Sequence, residues 1–222
     1  MSNVDDAHRL ARVAAIDDDT LIREGLRTLA HGIDIVATFE TVEAFLDALP
    51  AVDVVLLDLS LAGTGRAGLQ GGLAVTAIAA HDYAVLLYTN ERRCEVLIGC
   101  LAAGARGVVH KAEPITAVEA AVQSVAAGEV VVTDAIAGLV ELANHRSAFA
   151  SLTARERDVL RGRARGESFA SIGSRLFITP KTAQEYMANV TGKFGEYLRS
   201  HSPADLERLL GFAPGDLLDW SQ

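Results

Sequence analysis

The chain has 222 residues, half of them hydrophobic and 22% charged, which supplies apolar material for two modest cores and excludes disorder along most of its length. No apolar run reaches the ~18 residues of a membrane span, the opening MSNVDDAHRLAR lacks the cationic-then-apolar order of a secretory signal, and Cys94 and Cys100 are too few for a disulfide framework or a Cys-based zinc site, so a cytoplasmic protein with no membrane partner is expected. The net charge of -9 is divided unevenly, with 9 Lys+Arg against 20 Asp+Glu in residues 1–145, 10 against 5 in residues 146–200 and 1 against 4 in the last 22, a pattern suited to an acidic module joined to one that meets a polyanion.

In chain order, residues 1–11 are expected to be disordered. Five apolar segments follow, Val13 to Ile16, Ile33 to Phe39, Val52 to Leu57, Tyr83 to Tyr88 and Gly107 to Val109. Their continuous character predicts parallel strands covered on both faces. Helical patterns lie between them. Leu21, Ile22, Leu26 and Leu29 share one predicted face, Val42, Phe45, Leu46 and Leu49 a second, and Val96, Leu97 and Leu101 a third. The last helix of this half is predicted from Pro114, as a first-turn residue, to a stop at Gly128. Five βα units make a doubly wound α/β domain over residues 12–128.

Ligands of such sheets bind beyond the carboxyl ends of the strands. There the first strand supplies Asp17, Asp18 and Asp19, the third Asp58, the fourth Thr89 and the fifth Lys111. In a 2-1-3-4-5 strand order the first and third strands are neighbours, so their carboxylates converge and repel. A hard divalent cation with oxygen ligands relieves that repulsion, and Mg²⁺ suits carboxylates, one backbone carbonyl and waters. A nearby Lys would neutralise an incoming phosphoryl group. The plainer reading is a solvated turn in which Asp19 or Thr20 caps the helix, with Lys111 on the surface.

Residues 12–128 resemble the receiver domain of two-component response regulators, a flavodoxin-like fold. IDDDT resembles the acidic pair, placed on Asp17 and Asp18; VVLLDLSLAG resembles the phosphoacceptor segment, placed on Asp58; LLYT places the switch hydroxyl at Thr89, and GARGVVHK places the lysine at Lys111. The resemblance implies phosphoryl transfer from a phosphohistidine on a sensor histidine kinase to Asp58. It further implies Mg²⁺ held by Asp18 directly, by Asp17 largely through water, by Asp58 and by the Ser60 carbonyl.

Three features depart from the pattern. Val108 stands where receivers often carry an aromatic switch, Ala62 where many have proline, and about six extra residues within TGRAGLQGG precede Gly72. That insertion spells GxGxxG at Gly63, Gly65 and Gly68. A dinucleotide site is disfavoured, because Gly71 and Gly72 delay the helix and no acidic residue ends the next strand. A haloacid-dehalogenase-like phosphatase is approached by Asp17 and Asp19 but fails at Leu21.

Residues 129–150 are expected to form a linker containing a helix. From Leu152 the text changes. Thr153 with Glu156 is a capping box, and the face of Val159, Leu160 and Ala164 ends at Gly166. Ser168 caps a short helix to Leu176, and Thr179–Pro180 open a third helix toward Phe194. That is a helix-turn-helix. Residues 151–200, with LTxRExxVL and then SxxxIxxxLFIxPKT, are similar to the LuxR/NarL-type output domain. The resemblance places a recognition helix near Lys181 and makes Lys181, Thr182, Gln184, Glu185, Ala188 and Lys193 the DNA-facing residues. Lys181 and Thr182 suit phosphates, Gln184 adenine and Glu185 cytosine. Ala183, Gln184 and Tyr186 differ from common family choices, so backbone contacts fall instead to Arg155, Arg157, Arg161, Arg163, Arg165 and Arg175, some of which form an ordinary solvated face. Residues 201–222 are expected to add a helix whose Leu206, Leu209, Leu210 and Trp220 dock on this domain. The whole reads as a phosphorylation-controlled regulator of transcription rather than an enzyme, acting on double-stranded DNA as a homodimer. The alternative is a regulator of the same shape gated by protein contacts or a ligand, without phosphate.

Overall fold

The computed structural model describes residues 9–61, 69–131, 152–201 and 205. The GxGxxG glycines, the bridging segment, the first eight residues and the apolar side chains of the tail lie outside them.

The five strands are β1 (Arg12–Ile16), β2 (Asp34–Phe39), β3 (Val54–Leu57), β4 (Ala84–Thr89) and β5 (Val108–His110). They form one parallel sheet in the order β2-β1-β3-β4-β5. Although the runs are largely apolar, the two-residue period of a strand still sorts them between faces. Ala14, Ile16, Val55, Leu57, Val85, Leu87 and Val108 face one core, with Phe45, Val75, Ile78 and Leu97. Val13, Ala15, Val54, Leu56, Leu86, Tyr88 and Val109 face the other, with Leu26, Val118 and Val122. The first core is covered by α2 (Val42–Ala48), α3 (Gly71–Ala79) and α4 (Cys94–Ala102), the second by α1 (Thr20–Leu29) and α5 (Ile115–Ala126).

Several sequence expectations are corrected here. In α1 the helix buries Leu26 and Arg23, while Leu21 and Leu29 are 81% and 59% exposed. A ten-residue helix touches the sheet only along its middle, and Arg23 is drawn in by polar partners described below. Leu49 is exposed because it is the left-handed C-cap of α2 rather than part of its face. Gly71 and Gly72 do not delay α3; they are its first two residues. Pro114 is the N-cap of α5 with extended backbone, one position before the first turn.

The second unit comprises α6 (Ala154–Ala164), α7 (Phe169–Leu176) and α8 (Pro180–Ser200). The Thr153–Glu156 capping box is formed in both directions, Ser168 accepts from the Ser171 N–H, and Thr179 accepts from the Thr182 N–H. Each satisfies a donor left over at a helix start. Val159, Leu160, Ile172, Ala183 and Val190 are fully or almost fully buried between the three helices. Helix α8 does not stop near Phe194 but continues to Ser200. Gly173 permits the tight turn after α7: a Cβ there would lie 2.8 Å from the Ile178 carbonyl oxygen.

Candidate functional site

The backbone ladder sets the acidic pocket. Asp17 donates its N–H to the Phe39 carbonyl (3.0 Å) and Asp58 to the Ile16 carbonyl (2.9 Å), extending each strand by one residue. Both side chains thereby leave neighbouring strands at the same end of the sheet. Asp17 Oδ1 accepts from the Asp19 N–H (2.9 Å), and Asp19 Oδ1 accepts from the Leu21 N–H (2.8 Å) as the N-cap of α1. The Asp run therefore serves both as a helix cap and as a pocket wall.

Asp17 and Asp58 are 2% and 4% exposed. One oxygen from each of Asp17, Asp18 and Asp58 can be chosen so that all three lie within 4.8 Å of one another. Lys111, at the end of β5, brings Nζ to 2.7 Å from Asp17 Oδ2 and 2.7 Å from Asp58 Oδ2, with an aligned hydrogen bond to Asp58. Burial pushes the Asp17 carboxyl above its ordinary value against the opposing pull of Lys111. Burial pulls the Lys111 ammonium down, but hydrogen bonds and charge from the two aspartates outweigh it and hold it above the usual lysine value. Asp17 Oδ2 and Asp58 Oδ1 are buried and accept no aligned hydrogen bond. Crowded hard carboxylate oxygens, Asp58 Oδ1 buried without a hydrogen-bond partner and Asp17 Oδ2 facing the Lys111 ammonium alone, fit a small divalent cation such as Mg²⁺, which these residues, Asp18 and the exposed Ser60 just beyond could hold.

Thr89 is fully buried at the end of β4. Its Oγ1 accepts from the Glu91 N–H (3.2 Å), and its carbonyl accepts from the Lys111 N–H (3.1 Å). Sequence reasoning missed the residues that hold this arrangement. Arg23 is 8% exposed and donates to the Asp17 carbonyl, Thr20 Oγ1 and Glu40. Glu91 accepts from Arg93 and from the Arg92 and Arg93 N–H groups, and these bonds, Arg93 first, lower its carboxyl to about 2. Glu43 accepts from the Leu69 N–H (2.8 Å) and Gln70 donates to the Leu61 carbonyl (3.3 Å), closing the base of the loop after Asp58. An acidic residue before an Arg pair was the available signal for Glu91; none marked Arg23, Glu43 or Gln70.

On α8, Lys181, Gln184, Glu185 and Ala188 are exposed and Thr182 is half-buried. Ala188 also borders an open cleft shared with Thr191 and with Gly128 to Val131 beyond α5. Lys193 stands apart from the expected set. Its Nζ lies 3.0 and 2.8 Å from the oxygens of Glu156, which is 4% exposed, so its charge braces α8 against α6. Of the arginines, Arg163 donates to the Glu167 carbonyl and lies over the Phe169 ring, and Arg175 binds Glu167 and the Asp158 carbonyl. Both hold the domain together.

Residues 13–123 match the model of the response regulator receiver domain, and residues 150–201 match that of the LuxR family of bacterial regulatory proteins. The chain belongs to the response regulators. A nitrate/nitrite response regulator protein homolog of Haemophilus influenzae is 30% identical over 85% of this chain and 92% of that protein. Response regulator UvrY of Escherichia coli is 27% identical over 90% of this chain and 93% of that protein. Among solved structures, an RcsB–DNA complex is similar with a TM-score of 0.53 at 22% identity, over 87% of this chain and all of the matched chain. RcsB from Salmonella enterica serovar Typhimurium, bound to promoter P1flhDC with a phosphomimetic, gives a TM-score of 0.53 at 21% identity, over 86% of this chain and 97% of that one. These likenesses agree with the receiver fold and the helical output domain, and among the described residues no helix is long and apolar enough to cross a membrane.

Proposed function

We propose that this response regulator is a cytoplasmic DNA-binding regulator of transcription, switched by phosphorylation of Asp58 by a sensor histidine kinase. The observation that carries the reading is the meeting of Asp17, Asp58 and Lys111 within 2.7 Å contacts at the sheet's carboxyl end. Asp58 is the nucleophile: its carboxylate oxygen bonds to phosphorus as the phosphorus–nitrogen bond of the donor phosphohistidine breaks, leaving an acyl phosphate. Asp17, Asp18, Asp58 and the Ser60 carbonyl would hold Mg²⁺, which supplies positive charge to the transferring group. Lys111 exchanges its carboxylate contacts for a phosphoryl oxygen, and the Thr89 hydroxyl turns to another.

Val108 is fully buried in β5, so no aromatic ring can swing in at that position. The signal then passes through Thr89 and the Glu91 loop. A ligand- or partner-gated regulator that ignores phosphate is the second reading, and Val108 is what favours it.

DNA is read by α8. Lys181 and Thr182 bind phosphates, Gln184 and Glu185 address adenine and cytosine edges, and Ala188 offers an apolar contact. A homodimer sets two such helices on paired half-sites, with phosphorylation shifting the population competent to do so. Sedimentation and DNA binding of the full chain with Mg²⁺ and beryllofluoride, beside Asp58→Asn, test this. Tighter DNA binding in the parent alone supports the reading; equal responses overturn phosphate control.

A further inference from the structure

We propose that Phe177 is a DNA-contacting residue, its ring packing on the deoxyribose face of one strand at the edge of the groove that α8 enters. The inference rests on the DNA-binding reading above and extends it to a residue outside the recognition helix.

Phe177 is 95% exposed and is the left-handed C-cap of α7, with φ 57° and ψ 43°. Each feature is unfavourable in the free protein. An exposed ring orders water, and a residue with a Cβ is strained where Gly or Asn is at ease. The turn does not let it relax. The Phe177 and Ile178 N–H groups both donate to the Gly173 carbonyl, and the close approach of Gly173 to the Ile178 carbonyl leaves no slack. The residues on either side, Leu176 and Ile178, turn into the core, so the backbone presents this one ring outward.

The surroundings select the partner. Two residues on, Thr179 caps α8, and the exposed Lys181 follows in its first turn. Arg155 reaches the Leu176 carbonyl at 3.5 Å, which sets a guanidinium beside the ring's own backbone. An exposed apolar face with one cation beside its backbone and another in the next helical turn of the chain matches a DNA strand, in which deoxyribose alternates with phosphate. Contact with the sugar carries no base preference, so a mixed-sequence duplex is a sufficient probe.

The test is fluorescence anisotropy of the full chain on a labelled mixed-sequence DNA duplex across a salt series, with Phe177→Asn, Phe177→Tyr and Lys181→Ala. Phe177→Asn is expected to bind about tenfold more weakly at every salt concentration, as loss of a buried ring face implies, with an unchanged salt slope because no counterion is involved. Its melting temperature should be level or raised, since Asn suits the left-handed turn. Phe177→Tyr should keep the parent affinity, and Lys181→Ala should flatten the slope by about one unit. Parent-like affinity of Phe177→Asn overturns the proposal. So does a lowered melting temperature, which would make the ring a packing element, or weaker self-association with DNA affinity intact, which would make it a contact between copies. Failure of the parent itself to bind the duplex would instead overturn the DNA reading.

Discussion

Replacing Lys111 with methionine keeps the aliphatic stem and removes one charge on which two buried carboxylates depend. The Lys111 side chain is 10% exposed and those of Asp17 and Asp58 are each 3% exposed, so water screens the contact little. Removing one partner from a buried ion pair costs about 3–5 kcal/mol. Some of that returns as Asp17, which burial has already pushed toward its neutral form, takes up a proton. A net loss of about 3 kcal/mol at neutral pH is expected, or roughly 10 °C in the melting of a domain of this size. Urea unfolding in chelator and then in Mg²⁺ measures it. The variant should regain more from Mg²⁺ than the parent does, because no ammonium competes for the oxygens. Its deficit should also shrink as pH falls: a carboxyl whose folded pKa is raised favours the folded state below its unfolded pKa and loses that contribution as pH rises. Adding Asp17→Asn should restore much of the loss. Equal urea midpoints for Lys111→Met and the parent in chelator, with no gain from Mg²⁺, would refute the reasoning.

Two further outcomes are expected. Because the Glu91 carboxyl is lowered from 4.5 to about 2, the stability it adds is complete above 4.5 and drains away as pH falls toward about 2; Glu91→Gln should flatten that stretch of the acid-unfolding curve, and a parent-like curve would remove Glu91 from the β4–α4 loop's stabilising set. Lys193→Met leaves the Glu156 carboxylate nearly buried without its ammonium and should cost the helical domain about 2 kcal/mol, while the DNA salt slope stays that of the parent; a flattened slope would return Lys193 to the DNA face.

The strands inside the β2 edge were readable because both faces of the sheet are buried there, which leaves nearly continuous apolar runs, and the acidic pocket was readable because strand order forces Asp17 and Asp58 together. The division of each strand between two cores was hidden by the same continuity. Helix α1 misled because Leu21 and Leu29 fit its periodicity as well as Leu26 does, while the buried Arg23 looks like any surface cation until its partners just beyond β1 and β2, Asp17 and Glu40, are seen. The side-chain caps at Thr153, Ser168 and Thr179 are local and were legible residue by residue. The Glu156–Lys193 bond spans 37 residues, and the closures at Leu61–Gln70 and Glu43–Leu69 join separate elements. Such pairings are set by tertiary packing, which no short-range pattern encodes. The pairing of Lys193 with Glu156 was accordingly invisible from its position on α8 alone.

Intact-mass analysis after incubation with acetyl phosphate tests the central claim most directly. With Mg²⁺ present the parent chain should gain one phosphoryl group, and the gain should vanish in chelator and in Asp58→Asn. An unmodified parent under all conditions, or a phosphoryl group that survives in Asp58→Asn, would contradict the assignment of this pocket.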